Sequence, residues 1–136
     1  MAQRRRDQAA RFNERYGQRT TEAGSIVERE AIGANVGANG YTTVKQADLL
    51  ADRLALTADA TLLDLGCGRG WPGLYLAAKS GCRVVLTDIP EAALRAALDA
   101  AAGKSVSGRA HIVQASATQL PFRPRTFDAI CHSDVL

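Results

Sequence analysis

Leu62-Leu63-Asp64-Leu65-Gly66-Cys67-Gly68-Arg69-Gly70-Trp71-Pro72-Gly73 is an apolar run that closes on a carboxylate, turns through alternating glycines and reaches a proline. Glycines of this kind let a backbone turn tightly and approach a ligand without side-chain interference. Pro72 suits the first turn of a helix, whose free N–H groups and partial positive charge favour an anion. Strand, glycine turn and helix in this order are the plan of a nucleotide-cofactor loop. Asp64 qualifies that plan, because a carboxylate at the mouth of the loop repels a diphosphate and attracts a cationic ligand. The spacing is GxGxG, with Trp71 where a dinucleotide fingerprint places its third glycine.

Working outward, the C-terminal half alternates between short apolar runs and helical patterns. Residues 60–65 read as a buried strand and Gly81 as the end of the next helix. Arg83–Asp88 reads as a strand centred on Val84-Val85-Leu86. Pro90 opens an Ala-rich helix with Leu94, Leu98 and Ala101 along one face, closed by Gly103. Residues 109–114 and 127–131 read as two further strands, separated by a loop carrying Leu120-Pro121-Phe122. This alternation predicts an α/β fold with a parallel sheet covered on both faces.

Upstream, residues 7–16 and 21–32 read as helices, the second with Ile26, Val27 and Ile32 as its larger apolar residues. The Gly/Asn segment 33–40 excludes helix or central strand. Thr43 and Gln46 fit a capping box, opening a helix with Ala47, Leu50, Ala51 and Leu54 on one stripe. The expected organisation is a helical cap segment over residues 1–56 and a sheet-forming domain over 57–136.

The chain has 136 residues, 46% hydrophobic and 23% charged, with a net charge of +3. That bounds it to one domain of ordinary globular composition. The positive excess sits at the front, in Arg4, Arg5, Arg6, Arg11 and Arg15, and is read as a solvated helix face; no aromatic interleaving suits base stacking, so nucleic acid is not the expected partner. Cys67, Cys82 and Cys131 show no metal-ligand spacing, so reduced thiols in a cytoplasmic protein are expected and no metal. No apolar run reaches membrane-span length, and no secretory leader pattern is present.

In a parallel α/β sheet, ligands bind beyond the carboxyl ends of the strands. Asp64, Asp88 and the Ala115–Phe122 loop lie at three such ends and should converge on one crevice. Asp88 follows Gly66 by 22 positions, suited to accepting two hydrogen bonds from a ribose diol or to capping the helix at Pro90. The glycine turn suits a carboxylate, and Asp64 suits an ammonium. Those groups together belong to S-adenosyl-L-methionine, and that is the cofactor read here. Phe122 is expected in the core beneath its loop rather than against an adenine.

These stretches, with Leu120-Pro121-Phe122 and Phe127-Asp128-Ala129-Ile130, resemble the ordered motifs of class I S-adenosylmethionine-dependent methyltransferases over about residues 57–136. The resemblance implies a Rossmann-like sheet and transfer of a methyl group to a small-molecule acceptor. It implies that Asp64, Gly66, Cys67 and Gly68 hold the methionine end, Asp88 and Ile89 the ribose, and Ser116 with Ala117 the adenine. The family often has Asp where Ser116 stands, which leaves the adenine contact differently made. N-terminal helices in this family tend to cover cofactor and substrate. Tyr41 either closes over the methionine moiety or packs in a turn.

The cofactor brings the reactive group, so the protein supplies chiefly orientation and a dry site. His132 and Asp134, after the fourth strand, are candidates near the methyl group; His132 either takes a proton as a base or only shapes the pocket. The family has seven strands in the order 3-2-1-4-5-7-6, of which about four are expected here. The fourth then lies at an uncovered edge open to association. On this reading the chain is the N-terminal part of a longer enzyme or a fragmentary gene product. Alternatives are an RNA methyltransferase, a non-catalytic module of the same fold acting as a partner subunit, and, more remotely, a dinucleotide oxidoreductase.

Overall fold

In the computed structural model the described residues are 2–38 and 40–133. Three helices come first: α1 (Ala2–Gly17), α2 (Glu22–Ile32) and α3 (Val44–Leu54). The sheet and its crossovers follow as β1 (Thr61–Leu65), α4 (Gly73–Ser80), β2 (Arg83–Asp88), α5 (Glu91–Ala101), β3 (Ala110–Gln114) and β4 (Ala129–His132).

The caps explain most boundaries. The Thr21 hydroxyl accepts from the Gly24 amide at the start of α2. Thr43 and Gln46 form the full capping box of α3. α4 stops at Gly81 in the left-handed conformation, with its amide on the Ala77 carbonyl. α5 has Pro90 at its N-cap with no side chain of its own to cap it.

All pairings are parallel, in the order β3-β2-β1-β4. This is the Rossmann-like arrangement expected from the sequence. The steps from β1 to β2 and from β2 to β3 run in one direction, and right-handed crossovers put both helices on one face. α4 accordingly packs on β1 and β2, and α5 on β2 and β3. Between them and the sheet lies the buried cluster of Leu62, Val84, Leu86, Leu74, Ala77, Leu94, Ala97 and Cys131. The opposite face is covered less completely: Leu63 is buried, Val85 half-buried and Ile130 56% exposed.

Two details, at Leu98 and Phe122, differ from the sequence reading, and the burial of α2 is added by the structure. Leu98 is exposed, and the inner face of α5 is Ala93, Leu94, Ala97 and Ala101. Small alanines let α5 lie close to the sheet and turn the larger leucine outward. Of the α2 apolar residues only Ile32 is buried; Ile26 and Val27 face solvent. Phe122 is half-buried, edge-on to Phe127 with ring centroids 4.8 Å apart, outside the main core. Among the described residues no helix is long and apolar enough to cross a membrane, and no His/Cys/Asp/Glu group could hold a metal.

Candidate functional site

The glycine turn is fastened to the end of β2. The amides of Gly66 and Cys67 both donate to the Thr87 carbonyl, at 2.8 and 2.9 Å. The Gly68 amide donates to Asp88 Oδ2 at 2.8 Å, and Asp88 Oδ1 accepts from the Ile89 amide at 2.7 Å. Gly68 and Gly70 have φ of +54° and +95°, in the left-handed region that disfavours side chains. A Cβ on Gly70 would also stand 2.5 Å from Leu74 of α4. The turn is therefore closely packed beneath and bonded to the end of β2.

Asp64 lies deeper than the sequence suggested. It is 1% exposed, underneath the turn rather than at its mouth. Its Oδ2 accepts from the Gly73 amide at the start of α4, at 2.9 Å, while Oδ1 is buried without a partner at ordinary hydrogen-bond length. The Cys131 thiol on β4 is the weak donor that faces this carboxylate. Burial above all pushes the carboxyl from the ordinary 3.8 up to about 7, against the lowering effect of the Gly73 amide. The Cys67 and Cys131 thiols are held well above their ordinary range, first by burial and then by Asp64. Neither is suited to act as a thiolate nucleophile.

Above the turn is a small cavity of about 70 Å³. Gly66, Cys67, Gly68, Arg69 and Trp71 form its floor and one wall; Tyr16, Ala38, Gly40 and Ser133 complete it. Tyr16 was not singled out from the sequence, since a tyrosine near the end of a polar helix carries no motif. A Cβ on Gly68 would stand 3.1 Å from its Oη, so the phenol lies directly over the turn. Arg69, the variable residue of the glycine motif, brings it there. Its guanidinium donates to the carbonyls of Tyr16 and Gln18, both at 2.9 Å, and lies 5.8 Å from the Tyr16 ring centroid.

Trp71 is also built in. Its indole donates to the Thr42 carbonyl at 2.8 Å, and its ring lies 5.3 Å from that of Tyr75. Tyr75 and Lys79 of α4 both reach Asp48 of α3 at 2.6 Å. The Thr42 and Ser133 hydroxyls bond to each other, joining the segment before α3 to the end of β4. One side of the cavity is thus tied to two helices and a strand.

Of the residues singled out from the sequence, Gly66, Cys67 and Gly68 line the cavity. Asp88 and Ile89 stand beside it at the end of β2, Ile89 48% exposed. Asp88 does not cap α5; Asn13 of α1 does, its Oδ1 accepting from the Ala92 amide at 3.2 Å. Ser116 and Ala117 lie past β3, where the Ala115 amide reaches the Asp88 carbonyl at 3.1 Å, so this loop adjoins the same crevice. Ser116 pairs with Gln119 in an isolated bridge, and its hydroxyl with that of Thr118. Tyr41 is 86% exposed and is not among the residues that line the cavity, whereas Tyr16 is. His132 ends β4, exposed, and is not a lining residue, whereas its neighbour Ser133 is. Asp134 and Asn39 fall outside the described residues.

Comparisons with known proteins agree with this architecture. Residues 62–136 match the model of a methyltransferase domain. The 27-O-demethylrifamycin SV methyltransferase of Amycolatopsis mediterranei (strain S699) is 34% identical over 88 residues, covering 65% of this chain and 32% of its own length. Methyltransferase GfsG of Streptomyces halstedii is 31% identical over 86 residues, covering 63% and 31%. The chain therefore spans about a third of the length of these relatives. Among solved structures, the [4+2]-cyclase SpnF superposes with a TM-score of 0.59 at 30% identity, over 63% of this chain and 32% of that one. A methyltransferase from Thiobacillus denitrificans, in complex with S-adenosyl-L-homocysteine, superposes with a TM-score of 0.62 at 20% identity, over 85% and 44%.

Proposed function

The chain belongs to the methyltransferase-domain family, and on that premise we propose that it binds S-adenosyl-L-methionine and serves transfer of its methyl group to a small-molecule acceptor. The observation that carries this reading is the glycine turn held between Thr87 and the Asp88 carboxylate, with an unpartnered buried acceptor, Asp64 Oδ1, beneath it. Asp64 and Asp88 on the sheet side of the turn suit a cationic ligand, and the basic side chain in the cavity wall, Arg69, is turned to the Tyr16 and Gln18 carbonyls. When bound, the cofactor supplies an electrophilic methyl group on a sulfonium, so no protein nucleophile is required.

The residues would divide the work by position. Gly66, Cys67 and Gly68 would face the methionine end, with Tyr16 above them and Asp64 acting from below through its field. Asp88 and Ile89 would take the ribose, and the Ser116–Ala117 loop the adenine. Trp71 and Tyr16, one on each side, would keep water from the reacting end. The small-molecule acceptor rests on the relative named for 27-O-demethylrifamycin SV. The described arginines of α1 give no support to an RNA acceptor, because they face solvent away from the cavity. The three free, buried cysteines favour a cytoplasmic setting. Association through the β4 edge, where Ile130 is exposed, belongs to the same proposal.

A second reading has one observation in its favour. A solved protein 30% identical to this chain is a [4+2]-cyclase, so this fold at this similarity carries chemistry other than methyl transfer. Titration calorimetry with S-adenosyl-L-homocysteine and with NAD tests what both readings share. Heat of binding with the first and none with the second is expected; the reverse pattern would reject the cofactor assignment.

A further inference from the structure

Trp71 is the largest side chain lining the cavity over the glycine turn, and it stands where the chain is poorly able to brace it. Gly70 before it and Gly73 just beyond Pro72 have no side chains to pack against an indole. The ring is held from outside the turn instead. Its Nε1 donates to the Thr42 carbonyl at 2.8 Å, and its ring lies 5.3 Å from that of Tyr75, tilted by 53°. A tilted aromatic pair is favourable only while both rings keep their orientation. Whatever fixes Tyr75 therefore bears on the wall of the cavity.

Tyr75 lies on α4, half-buried, four positions after Trp71. Its hydroxyl donates to Asp48 Oδ1 at 2.6 Å, and Lys79 Nζ donates to the same oxygen at 2.6 Å. Hydrogen bonds to a carboxylate are shorter and stronger than neutral ones. Lys79 first and Tyr75 next hold the Asp48 carboxyl below its ordinary range, so the acceptor stays charged. As an ion pair, Asp48 and Lys79 add little to stability, because their side chains are 41% and 44% exposed. What Asp48 supplies is a fixed point for the phenol. It lies on α3, and Thr42 directly precedes the Thr43–Gln46 box that caps the same helix. One capped helix thus carries both anchors of the indole, the Thr42 carbonyl directly and Asp48 through Tyr75.

We propose that Tyr75 is a positioning residue of the cofactor site: clamped on Asp48, it holds the Trp71 indole in the cavity wall at the orientation the ligand meets. The identity of the ligand rests on the cofactor reading above; the tie from Asp48 to Trp71 does not. Neither Tyr75 nor Asp48 lines the cavity, so both act through Trp71 and not by contact with the ligand. A wall set before binding spares the ligand the cost of ordering it, and a loosened indole therefore weakens affinity.

Two measurements decide it on the 136-residue chain. Trp71 is the single tryptophan, so the indole band of the near-ultraviolet circular dichroism reports it alone. Without ligand, Asp48→Ala and Tyr75→Phe should both lose much of that band. Calorimetry with S-adenosyl-L-homocysteine should find each variant about fivefold weaker than wild type, as for one disordered aromatic contact. Asp48→Asn keeps an acceptor for the Tyr75 hydroxyl and should restore band and affinity. Lys79→Ala removes the ion pair, leaves the phenol on Asp48, and should match wild type in both. An unchanged band in Asp48→Ala and Tyr75→Phe, or a diminished band with wild-type affinity, would overturn the proposal. So would Lys79→Ala acting like Asp48→Ala, which would assign the effect to the ion pair. Should Asp48→Ala fail to fold, Tyr75→Phe, which deletes one oxygen, decides alone. Absence of S-adenosyl-L-homocysteine binding in the wild type would sink the cofactor reading, while the indole band would still decide whether Asp48 and Tyr75 set Trp71.

Discussion

Asp64, next to last in β1, and Asp88, last in β2, lie on the same face of the sheet, and they do different things. The register pairs Asp64 with Leu86 and Leu65 with Thr87, so Asp88 stands one full side-chain repeat beyond Asp64. That one repeat decides their surroundings. Asp64 is level with the buried core, caps α4 and has an acceptor left over. Asp88 emerges beside the glycine turn, half-buried, and holds the Gly68 and Ile89 amides. Depth in the sheet, more than residue type, separates an acid that builds the site from one that meets a ligand.

The largest expected effect concerns the buried acid. Its folded value of about 7 lies above the ordinary 3.8, so between these limits the native state binds more protons than the unfolded chain. Stability therefore falls as pH rises through that window and levels off above it. At about 1.4 kcal/mol per pH unit, the loss amounts to about 4 kcal/mol. Asp64→Asn keeps an acceptor for Gly73 and cannot ionise, so urea unfolding of this variant should lack the decline. Identical pH profiles for variant and wild type would break the contrast between the two acids.

Register also marks what was legible in the sequence. The apolar runs, the glycine turn and the Thr43–Gln46 box are local signals, and the strands and the α3 cap followed from them, whereas the sheet order came from the family resemblance. The depth of Asp64 was not legible, because it depends on where β2 stops beside β1. Nor was the site's roof. Tyr16 and Arg69 are 53 positions apart and meet only through a backbone carbonyl and a ring face, and neither contact leaves a trace in residue spacing. The exposed Tyr41 was the more visible candidate because it flanks a Gly/Asn segment, which is a signal for a turn and not for a ligand.

The next effect sharpens the contrast from the other side. Asp88→Ala should weaken S-adenosyl-L-homocysteine binding about 30-fold, about 2 kcal/mol, as for loss of hydrogen bonds to a charged acceptor. Calorimetry should also find Asp64→Asn within about threefold of wild type, since a buried side chain exerts its field without touching the ligand. Equal losses in the two variants would place both acids in contact with the ligand. Tyr16→Ala should be milder, about fivefold, since it removes the roof and leaves the floor intact.

The smallest effect is expected at His132. Its strand partner is Leu65, which directly follows Asp64, so the backbone brings it to the same end of the sheet as both acids. Its side chain nevertheless lies exposed on the edge strand, while the next residue, Ser133, turns into the cavity and bonds to Thr42. An exposed side chain without such a tie contributes within about 0.5 kcal/mol to stability. His132→Ala should therefore leave both the urea midpoint and S-adenosyl-L-homocysteine affinity at wild-type values. If the same substitution abolished methyl transfer with affinity intact, a proton would be passing through the imidazole after all. The edge of β4 would then have to be counted as part of the reacting end, together with whatever acceptor it meets there.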